Sequence, residues 1–364
     1  MKKRFYELKK ILETGADYFI LLGPRGNGKS YAVKKYVIDE YFKKGHHFAY
    51  IRRLKEETLA TYVTDYFADM FGENGYIFKA SKGKYNCVEV FRRKIYFAYN
   101  NGETITRGEQ FGNMFCLSVA GLTKSLQFPK IVNMVYEEFV TDRHYLVNEP
   151  FTLMHFVSTI LRRRKGKVFL IGNTISKVCP YYYEWCLDGV KNQEVGTIDV
   201  YTYTTDEKDD SGNNIIVKIA VEMTAPVDDG NSGMFFGKVG KNISKGIYDF
   251  KDYPHLPNKR SDYSFIYEFG VEHIGFKFVC ELLINNNNGG VILFVRPNTL
   301  ERHIKRTITT EFSDDPFITT ALDPTTFEVE RLVIKAFECG KVCYANNMTG
   351  ADFEAILEEL GGVI

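Results

Sequence analysis

The chain has 364 residues, of which 45% are apolar and 26% are charged, and its formal net charge is +1. This length exceeds what a single hydrophobic core usually supports and indicates two domains, while the composition excludes a disordered or collagen-like chain. No apolar run is long enough to span a bilayer and the seven cysteines show no framework spacing, so we expect a soluble cytoplasmic protein with reduced thiols and no membrane partner.

In the first 205 residues, short apolar runs alternate with segments whose apolar positions recur every three to four residues. The predicted strands are residues 18–22, 48–52, 131–136, 167–171 and 197–203, and the clearest predicted helices are residues 29–43 and 151–164. Strands that alternate with helices form a mostly parallel sheet that is covered on both faces. We therefore predict an α/β domain over residues 1–205.

A glycine-rich segment follows the first predicted strand and precedes the first long helix. It reads Gly23-Pro24-Arg25-Gly26-Asn27-Gly28-Lys29-Ser30 and fits the pattern G-x-x-x-x-G-K-[ST]. In this pattern the backbone N–H groups and the helix N-terminus hold phosphates, the lysine reaches the β- and γ-phosphates, and the hydroxyl ligates Mg²⁺. The strand and helix on either side disfavour a chance glycine-rich turn. The segment therefore predicts a site for ATP and Mg²⁺.

The third predicted strand ends in two acids, Glu137 and Glu138. A phosphate loop needs a carboxylate on a neighbouring strand, both to hold Mg²⁺ and to align the attacking water. We predict that Glu138 polarises this water, and that Glu137 holds Mg²⁺ with Ser30 through ordered water. The alternative is a strand that simply ends in two solvated acids.

Polar and basic residues flank the fourth predicted strand. Asn173 follows this strand, where its side chain can either sense the γ-phosphate or cap a turn, and the sequence leaves both readings open. A basic run at residues 162–165 closes the preceding helix. Cations at a helix C-terminus are favourable on dipole grounds alone, but in a ring of identical subunits one such arginine can also enter a neighbour's ATP site.

The charge differs between the two ends of the chain. Residues 1–205 hold 31 basic and 21 acidic side chains, whereas residues 259–364 hold 10 and 16. Between them, residues 206–240 are rich in Asp, Gly, Asn and Ser, which predicts a linker that contains a hairpin, and we place this linker region at residues 206–258. Strand-like runs at residues 263–269 and 276–284 predict a smaller α+β domain over residues 259–364. The basic front domain indicates a polyanionic partner.

Several short motifs resemble those of the DNA-packaging ATPases of phi29-like tailed phages, which are relatives of the large terminases. Besides the phosphate loop, these motifs are Tyr50-x-Arg52-Arg53-x-Lys55, Lys124-Ser125, Glu138-Phe139, Asn148-Glu149, Arg162-x-Arg164, Asn173-x-x-Ser176 with Pro180-Tyr181, Phe236-Gly237, Tyr248 and Lys259-Arg260. The resemblance is dense in the front of the chain and thin after Ser261.

This resemblance implies a P-loop NTPase of the ASCE type that forms a homopentameric ring at the portal vertex of a prohead. The ring would hydrolyse ATP to drive double-stranded DNA into the prohead, in the host cytoplasm during assembly, and would be absent from the mature virion. The resemblance makes Glu138 the catalytic glutamate, Arg162 and Lys124 residues that act on a neighbouring subunit, and Lys55 a contact to DNA. The family usually has Asp where this chain has Glu137.

The resemblance also implies that residues 259–364 form a vestigial domain similar to RNase H and to the terminase nuclease, without nuclease activity. Such a domain docks on the portal connector or on a packaging RNA. Its net charge of −6 disfavours tight RNA binding, and its acids, among them Glu268, Glu281 and Asp323, show no metal-site motif. Two alternatives remain open, namely a large terminase with a working two-metal nuclease and a nucleotide-binding scaffold that does not hydrolyse ATP.

Overall fold

The computed structural model describes residues 5–123, 126–141, 145–162, 164–174, 179–208, 211–226, 253–273, 275–299, 302–309, 313–323, 325 and 327–359. The chain divides into two compact units, the first formed by Met1–Thr141, Leu146–Thr174 and Glu184–Ile247, and the second by Asp142–Tyr145, Ile175–Tyr183 and Tyr248–Ile364. Each unit has its own sheet and its own hydrophobic core.

The first unit is built on a nine-stranded sheet with the spatial order β3-β4-β5-β2-β6-β7-β1-β9-β8. The strands are β1 (Tyr18–Leu22), β2 (His47–Arg52), β3 (Cys87–Phe91), β4 (Lys94–Asn100), β5 (Ile105–Cys116), β6 (Ile131–Glu137), β7 (Lys167–Ile171), β8 (Ile198–Lys208) and β9 (Asn214–Met223). The six strands from β5 to β9 in this order pair in parallel, whereas β3, β4 and β5 pair antiparallel, as do β8 and β9. The parallel centre confirms the predicted α/β class.

The helices of the front part of the chain are α1 (Lys9–Leu12), α2 (Lys29–Lys44), α3 (Ala60–Tyr66), α4 (Tyr76–Ala80), α5 (Glu149–Leu161) and α6 (Pro180–Glu184). Short 3-10 helices span Lys55–Thr58, Ala68–Met70, Leu117–Thr123 and Asp188–Asn192. Helix α2 buries Val33, Val37 and Ile38. The core is rich in aromatic rings, and Phe97 and Phe111 stack with their centroids 3.8 Å apart. Phe42 of α2 stacks on Phe97 with the centroids 4.8 Å apart, and this packing holds α2 against the sheet.

The structure differs from the predicted element boundaries at two places. Residues 214–223, which the sequence assigned to a linker, form β9, and the last five of them pair in parallel with β1. This strand is recognisable only in the fold, because its partner lies far away in the sequence. The rest of that predicted linker includes residues 227–252, which lie outside the described residues. Helix α5 ends at Leu161 because Arg162 adopts a φ of 45° and closes it.

The second unit contains a six-stranded sheet with the order β14-β13-β10-β11-β12-β15. Its elements are a 3-10 helix at Arg260–Asp262, β10 (Tyr263–His273), β11 (Phe276–Asn285), β12 (Val291–Pro297), β13 (Thr307–Thr309), β14 (Ile318–Thr319), α7 (Glu328–Glu338), β15 (Val342–Tyr344) and α8 (Asn347–Glu359). Strands β10, β11 and β12 form an antiparallel meander, and the outer strands join it in parallel. The predicted likeness of this unit to RNase H stays a prediction. Within the described residues of both units, no helix is long and apolar enough to cross a membrane.

Candidate nucleotide-binding site

The phosphate loop joins β1 to α2 and is shaped by three glycines in the left-handed backbone region. Gly23, Gly26 and Gly28 have φ values of 145°, 76° and 95°, which side chains with a Cβ rarely adopt. A Cβ at Gly23 would also lie 2.1 Å from the Oγ1 atom of Thr224. The loop leads into the N-terminus of the 16-residue helix α2, where unpaired N–H groups and the helix dipole favour an anion.

The loop borders a cavity of about 760 Å³, a volume typical of small-molecule sites. The cavity is lined by Phe5, Arg25, Gly26, Asn27, Gly28, Lys29, Ser30, Tyr31, Lys34, Asp69, Glu137, Glu138, Ile171, Gly172 and Asn173. The fold thus brings the predicted loop residues, both acids of β6 and Asn173 to one place. Gly23 is the exception among the predicted contacts, since it packs against Thr224 at the start of the loop.

The ammonium group of Lys29 is turned into its own loop. Its Nζ donates to the carbonyl oxygens of Gly23 and Pro24, at 3.1 and 2.7 Å, and to Oδ1 of Asn27 at 3.2 Å. Only 4% of Lys29 is exposed. Burial lowers the pKa of this ammonium to about 8, although nearby Glu137 acts in the opposite direction. The lysine must leave these carbonyls before it can contact a phosphate.

Glu137 is a buried carboxylate at the end of β6, beside the first turn of α2. Its Oε2 accepts a hydrogen bond from Ser30 Oγ at 3.1 Å, and its Oε1 accepts one from the Tyr66 hydroxyl at 2.6 Å. Burial raises the pKa of this carboxyl, while the hydrogen bonds from Tyr66 and Ser30 act to lower it. A serine hydroxyl beside a carboxylate offers the oxygen ligands that Mg²⁺ prefers, so these residues fit a magnesium ion.

Glu138 occupies a different environment from its neighbour, although both line the cavity. Its backbone has a φ of 56° and its side chain is 61% exposed. Its Oε2 accepts a hydrogen bond of 2.7 Å from Arg52, which also donates to Glu57 at 3.1 Å. Because of this positive φ, the two consecutive acids point in different directions. The side chain of Glu137 lies in the protein interior, and that of Glu138 faces solvent.

The site extends away from the loop through Lys34, Tyr66 and Asp69, which were not predicted from the sequence. Lys34 is 4% exposed and donates to Asp69 Oδ1 and to the Tyr66 carbonyl oxygen, both at 2.6 Å. Its Nζ also lies 4.7 Å from the centre of the Tyr66 ring. One signal in the sequence was available, because Lys34 follows Ser30 by four residues and therefore shares its helix face.

The motif Tyr50-x-Arg52-Arg53-x-Lys55 places its three cations in three environments. Arg52 contacts Glu138, as described above. Arg53 is buried and donates to both carboxylate oxygens of Glu149, at 2.8 and 3.0 Å, and to the Phe139 carbonyl oxygen at 2.6 Å. Lys55 begins a 3-10 helix and is exposed. The Arg53–Glu149 pair ties the end of β2 to the start of α5, a structural role that the sequence did not reveal.

Two of the arginines that follow α5 lie in the described residues, and their contacts differ. Arg164 donates five hydrogen bonds to backbone carbonyl oxygens, those of Phe128, Pro129, Ile131, Ile160 and Leu161. This residue therefore joins the end of α5 to the start of β6. Arg162 is exposed, donates to the Leu126 carbonyl oxygen at 3.0 Å, and is not among the residues that line the cavity of its own chain. Lys124 lies outside the described residues.

In the second unit, arginines hold two acids of the sheet, Glu268 and Glu281. Glu281 accepts from Arg260 and Arg296 at 3.0 and 2.8 Å, and Glu268 accepts from Arg302. Asp323 accepts a hydrogen bond from its neighbour Thr325. Across the described ranges of the chain, no group of three or more His, Cys, Asp or Glu side chains is arranged to hold a metal ion.

Comparison with known proteins gives consistent matches to phage packaging proteins. The family model of the podovirus DNA encapsidation protein (Gp16) matches residues 1–211. The DNA packaging protein of Bacillus phage phi29 is 28% identical over 192 residues, covering 50% of this chain and 50% of that protein, and the one of Bacillus phage B103 is 30% identical over 167 residues, covering 44% and 46%. The chain spans about half the length of the curated relatives it matches.

A solved structure of the bacteriophage phi29 viral genome packaging motor assembly contains a chain with a similar fold. The two chains are 20% identical, and the match covers 98% of this chain and 99% of that chain with a TM-score of 0.56. At this level of identity, the similarity concerns the fold. It extends over both units.

Proposed function

Because the chain belongs to the family of podovirus DNA encapsidation proteins, we propose that it is an ATPase that drives double-stranded DNA into a viral prohead. The observation that carries this proposal is the cavity in which a phosphate loop, a Ser30–Glu137 pair with a buried carboxylate, and an exposed Glu138 lie together. A protein that only bound nucleotides would need the loop but not two acids with such different environments.

We assign residues of the cavity separate roles in ATP hydrolysis. The loop backbone, Lys29 and the N-terminus of α2 bind the phosphates. Ser30 and Glu137 hold Mg²⁺, which when bound neutralises charge on the β- and γ-phosphates. Glu138 orients the attacking water, because it is the acid that solvent can reach. Asn173 lines the same cavity, and we assign it the contact to the γ-phosphate.

We assign the metal role to Glu137 on the basis of its contacts. Its carboxylate already touches Ser30 Oγ, the hydroxyl that ligates Mg²⁺ in phosphate-loop proteins. Glu138 has no contact to the loop of this kind and is held by Arg52 instead. A glutamate at the metal position reaches further than an aspartate would, and Tyr66 fixes this longer arm.

The partners follow from the family and from the exposed cations. We propose that the chain forms a homo-oligomeric ring, a pentamer by analogy, at the portal of the prohead in the host cytoplasm. Arg162 is exposed and does not line the cavity of its own chain, which suits a residue that acts on a neighbouring subunit, and Lys124 would act with it. Lys55 is exposed and suits a contact to DNA phosphates. The second unit would dock on the connector or on a packaging RNA.

The two alternatives differ from this proposal in what they require. A terminase with a working nuclease needs carboxylates free to bind two metal ions, whereas Glu281 is engaged by two arginines and Glu268 by one. A scaffold that does not hydrolyse ATP needs no carboxylate aimed at water. The proposed motor therefore accounts for more of the site.

The decisive experiment measures phosphate release from ATP with and without duplex DNA. We expect turnover that requires Mg²⁺ in the wild type, and we expect Glu138→Gln to bind ATP while losing about a hundredfold or more in turnover. Glu103→Gln, at an exposed acid in a loop between β4 and β5, is the matched control. Wild-type protein that binds ATP without releasing phosphate would favour the scaffold, and metal-dependent cleavage of plasmid DNA would favour the nuclease.

A further inference from the structure

The end of β9 is bonded directly to the phosphate loop. Asn27 Nδ2 donates to Thr224 Oγ1 at 2.7 Å and to the Ala225 carbonyl oxygen at 3.3 Å. Thr224 is 1% exposed, and its Oγ1 also lies against Gly23. The residue immediately after the last strand of the first sheet thus touches both the beginning and the middle of the loop.

The hydroxyl of Thr224, together with the Ala225 carbonyl oxygen, determines which way the Asn27 amide faces. This hydroxyl donates its single proton to the Leu22 carbonyl oxygen at 2.7 Å, so toward Asn27 it can only accept. The NH₂ group of Asn27 must therefore face Thr224, and Oδ1 must face the opposite side. On that side Oδ1 accepts from Lys29 Nζ at 3.2 Å and from the Lys29 backbone N–H at 3.3 Å.

These contacts form one chain of hydrogen bonds from Leu22 through Thr224 and Asn27 to Lys29. The chain holds the ammonium of Lys29 inside the loop, where two backbone carbonyls complete its three donor positions. A nucleotide can recruit this lysine only by taking it away from Asn27. The apparent affinity for nucleotide is then the intrinsic affinity multiplied by the fraction of molecules whose lysine is already turned outward, so a small fraction means weak binding.

We propose that Thr224 and Asn27 are positioning residues that hold Lys29 in a nucleotide-free arrangement, and that nucleotide binding loosens the contact between the loop and residues 224–226. The inference rests on the proposed nucleotide binding at this loop. Such a coupling is reciprocal. A change at Thr224 alters the affinity for nucleotide, and nucleotide binding in turn weakens the contact between Thr224 and the loop.

The test compares Thr224→Val, which keeps the shape but removes the acceptor, with Thr224→Ser, which keeps the hydroxyl. Leu22 remains satisfied in the valine variant, because its carbonyl oxygen also accepts the Thr224 backbone N–H at 2.7 Å. We measure the affinity of each full-length chain for Mg²⁺ and a non-hydrolysable ATP analogue by calorimetry. One hydrogen bond of ordinary strength predicts binding about fivefold tighter for the valine variant and wild-type binding for the serine variant.

A double-mutant cycle separates this coupling from a general loosening of the fold. We expect Asn27→Ala to tighten binding by a similar factor, and the double variant Asn27→Ala/Thr224→Val to bind no tighter than either single variant. The proposal is overturned if the affinity gains of Asn27→Ala and Thr224→Val multiply in the double variant. It is also overturned if Thr224→Val and Thr224→Ser bind the analogue equally, or if Thr224→Val binds it more weakly than the wild type.

Hydrogen exchange tests the same contact without nucleotide. In the nucleotide-free protein, the Lys29 amide should exchange faster in Thr224→Val than in Thr224→Ser, because Asn27, whose Oδ1 accepts this amide, loses the shorter of its two hydrogen bonds to residues 224–225. In the wild type, the ATP analogue should speed exchange at Thr224. Unchanged exchange at both amides refutes the inference. A wild type that binds no nucleotide refutes the proposed function instead, and the Lys29 amide still decides the inference.

Discussion

Replacing Tyr66 by Phe removes one hydroxyl from the site and leaves the rest of the packing in place. The ring of Tyr66 packs on Tyr50 with a centroid separation of 4.8 Å and carries Lys34 over its face, and phenylalanine preserves both contacts. What is lost is the 2.6 Å hydrogen bond to Oε1 of Glu137. The variant therefore isolates the contribution of one donor to the proposed metal ligand.

The magnitude follows from the burial of the acceptor. Glu137 is 6% exposed, so water cannot replace the missing donor readily. A hydrogen bond to a charged group contributes about 1.5–3 kcal/mol, which corresponds to roughly a 10- to 100-fold change in an equilibrium constant. We expect the Mg²⁺ concentration for half-maximal ATPase activity to rise by about that factor.

The pH dependence gives a second readout with a definite sign. Burial and nearby Glu137 raise the pKa of Tyr66 well above its ordinary value, so this hydroxyl remains a neutral donor. Its hydrogen bond favours the ionised form of Glu137, whose pKa burial has raised. Without the donor that pKa rises further, and the acidic limb of the ATPase profile moves to higher pH.

The assay is steady-state phosphate release, titrated with Mg²⁺ at several pH values. Tyr62→Phe is the matched control, because Tyr62 lies on the same helix and is 56% exposed. We expect the control to behave as the wild type. If Tyr66→Phe changes neither the Mg²⁺ requirement nor the acidic limb, then Glu137 does not bind the metal, and the assignment of the two acids must be exchanged.

Three further predictions concern other contacts. Replacing Arg53 by Met removes one cation from the buried carboxylate of Glu149 and should lower the free energy of unfolding by about 3–5 kcal/mol, measured by urea denaturation. An inactive Arg162→Ala chain mixed with an inactive Glu138→Gln chain should regain part of the ATPase activity, because each supplies what the other lacks in a ring. Replacing Lys55 by Ala should weaken duplex DNA binding equally on unrelated sequences and reduce the salt slope by about one unit.

Each of these has an outcome that contradicts it. If Arg53→Met lowers the free energy of unfolding by less than about 1 kcal/mol, then other partners of Glu149 compensate for the missing cation. If the mixed chains recover no ATPase activity, then Arg162 either acts on the ATP site of its own subunit or takes no part in catalysis. Sequence-specific DNA binding that survives high salt would contradict phosphate contacts through Lys55. The control for Lys55→Ala is Lys79→Ala, which changes another exposed lysine of the first unit.

The sequence by itself determined the features that depend on neighbours in the chain. The phosphate loop is one continuous segment between a strand and a helix, and its glycines and Lys29 are required by local backbone geometry and by phosphate chemistry. The alternation of strands and helices similarly predicted the parallel sheet, since such units have only one common way to bury both faces. The acids at the end of β6 were identified for the same reason, because a parallel sheet brings its strand ends to one edge.

Only the tertiary structure decided how these parts work together. The sequence placed Glu137 and Glu138 side by side, but burial against Ser30 and Tyr66, and the positive φ of Glu138, distinguish them. Strand β9 was assigned to a linker because its pairing with β1 joins segments that lie far apart in the chain. Thr224 reaches Asn27 across 197 positions of sequence. Such contacts leave no local pattern, because they depend on which surfaces meet when the chain folds.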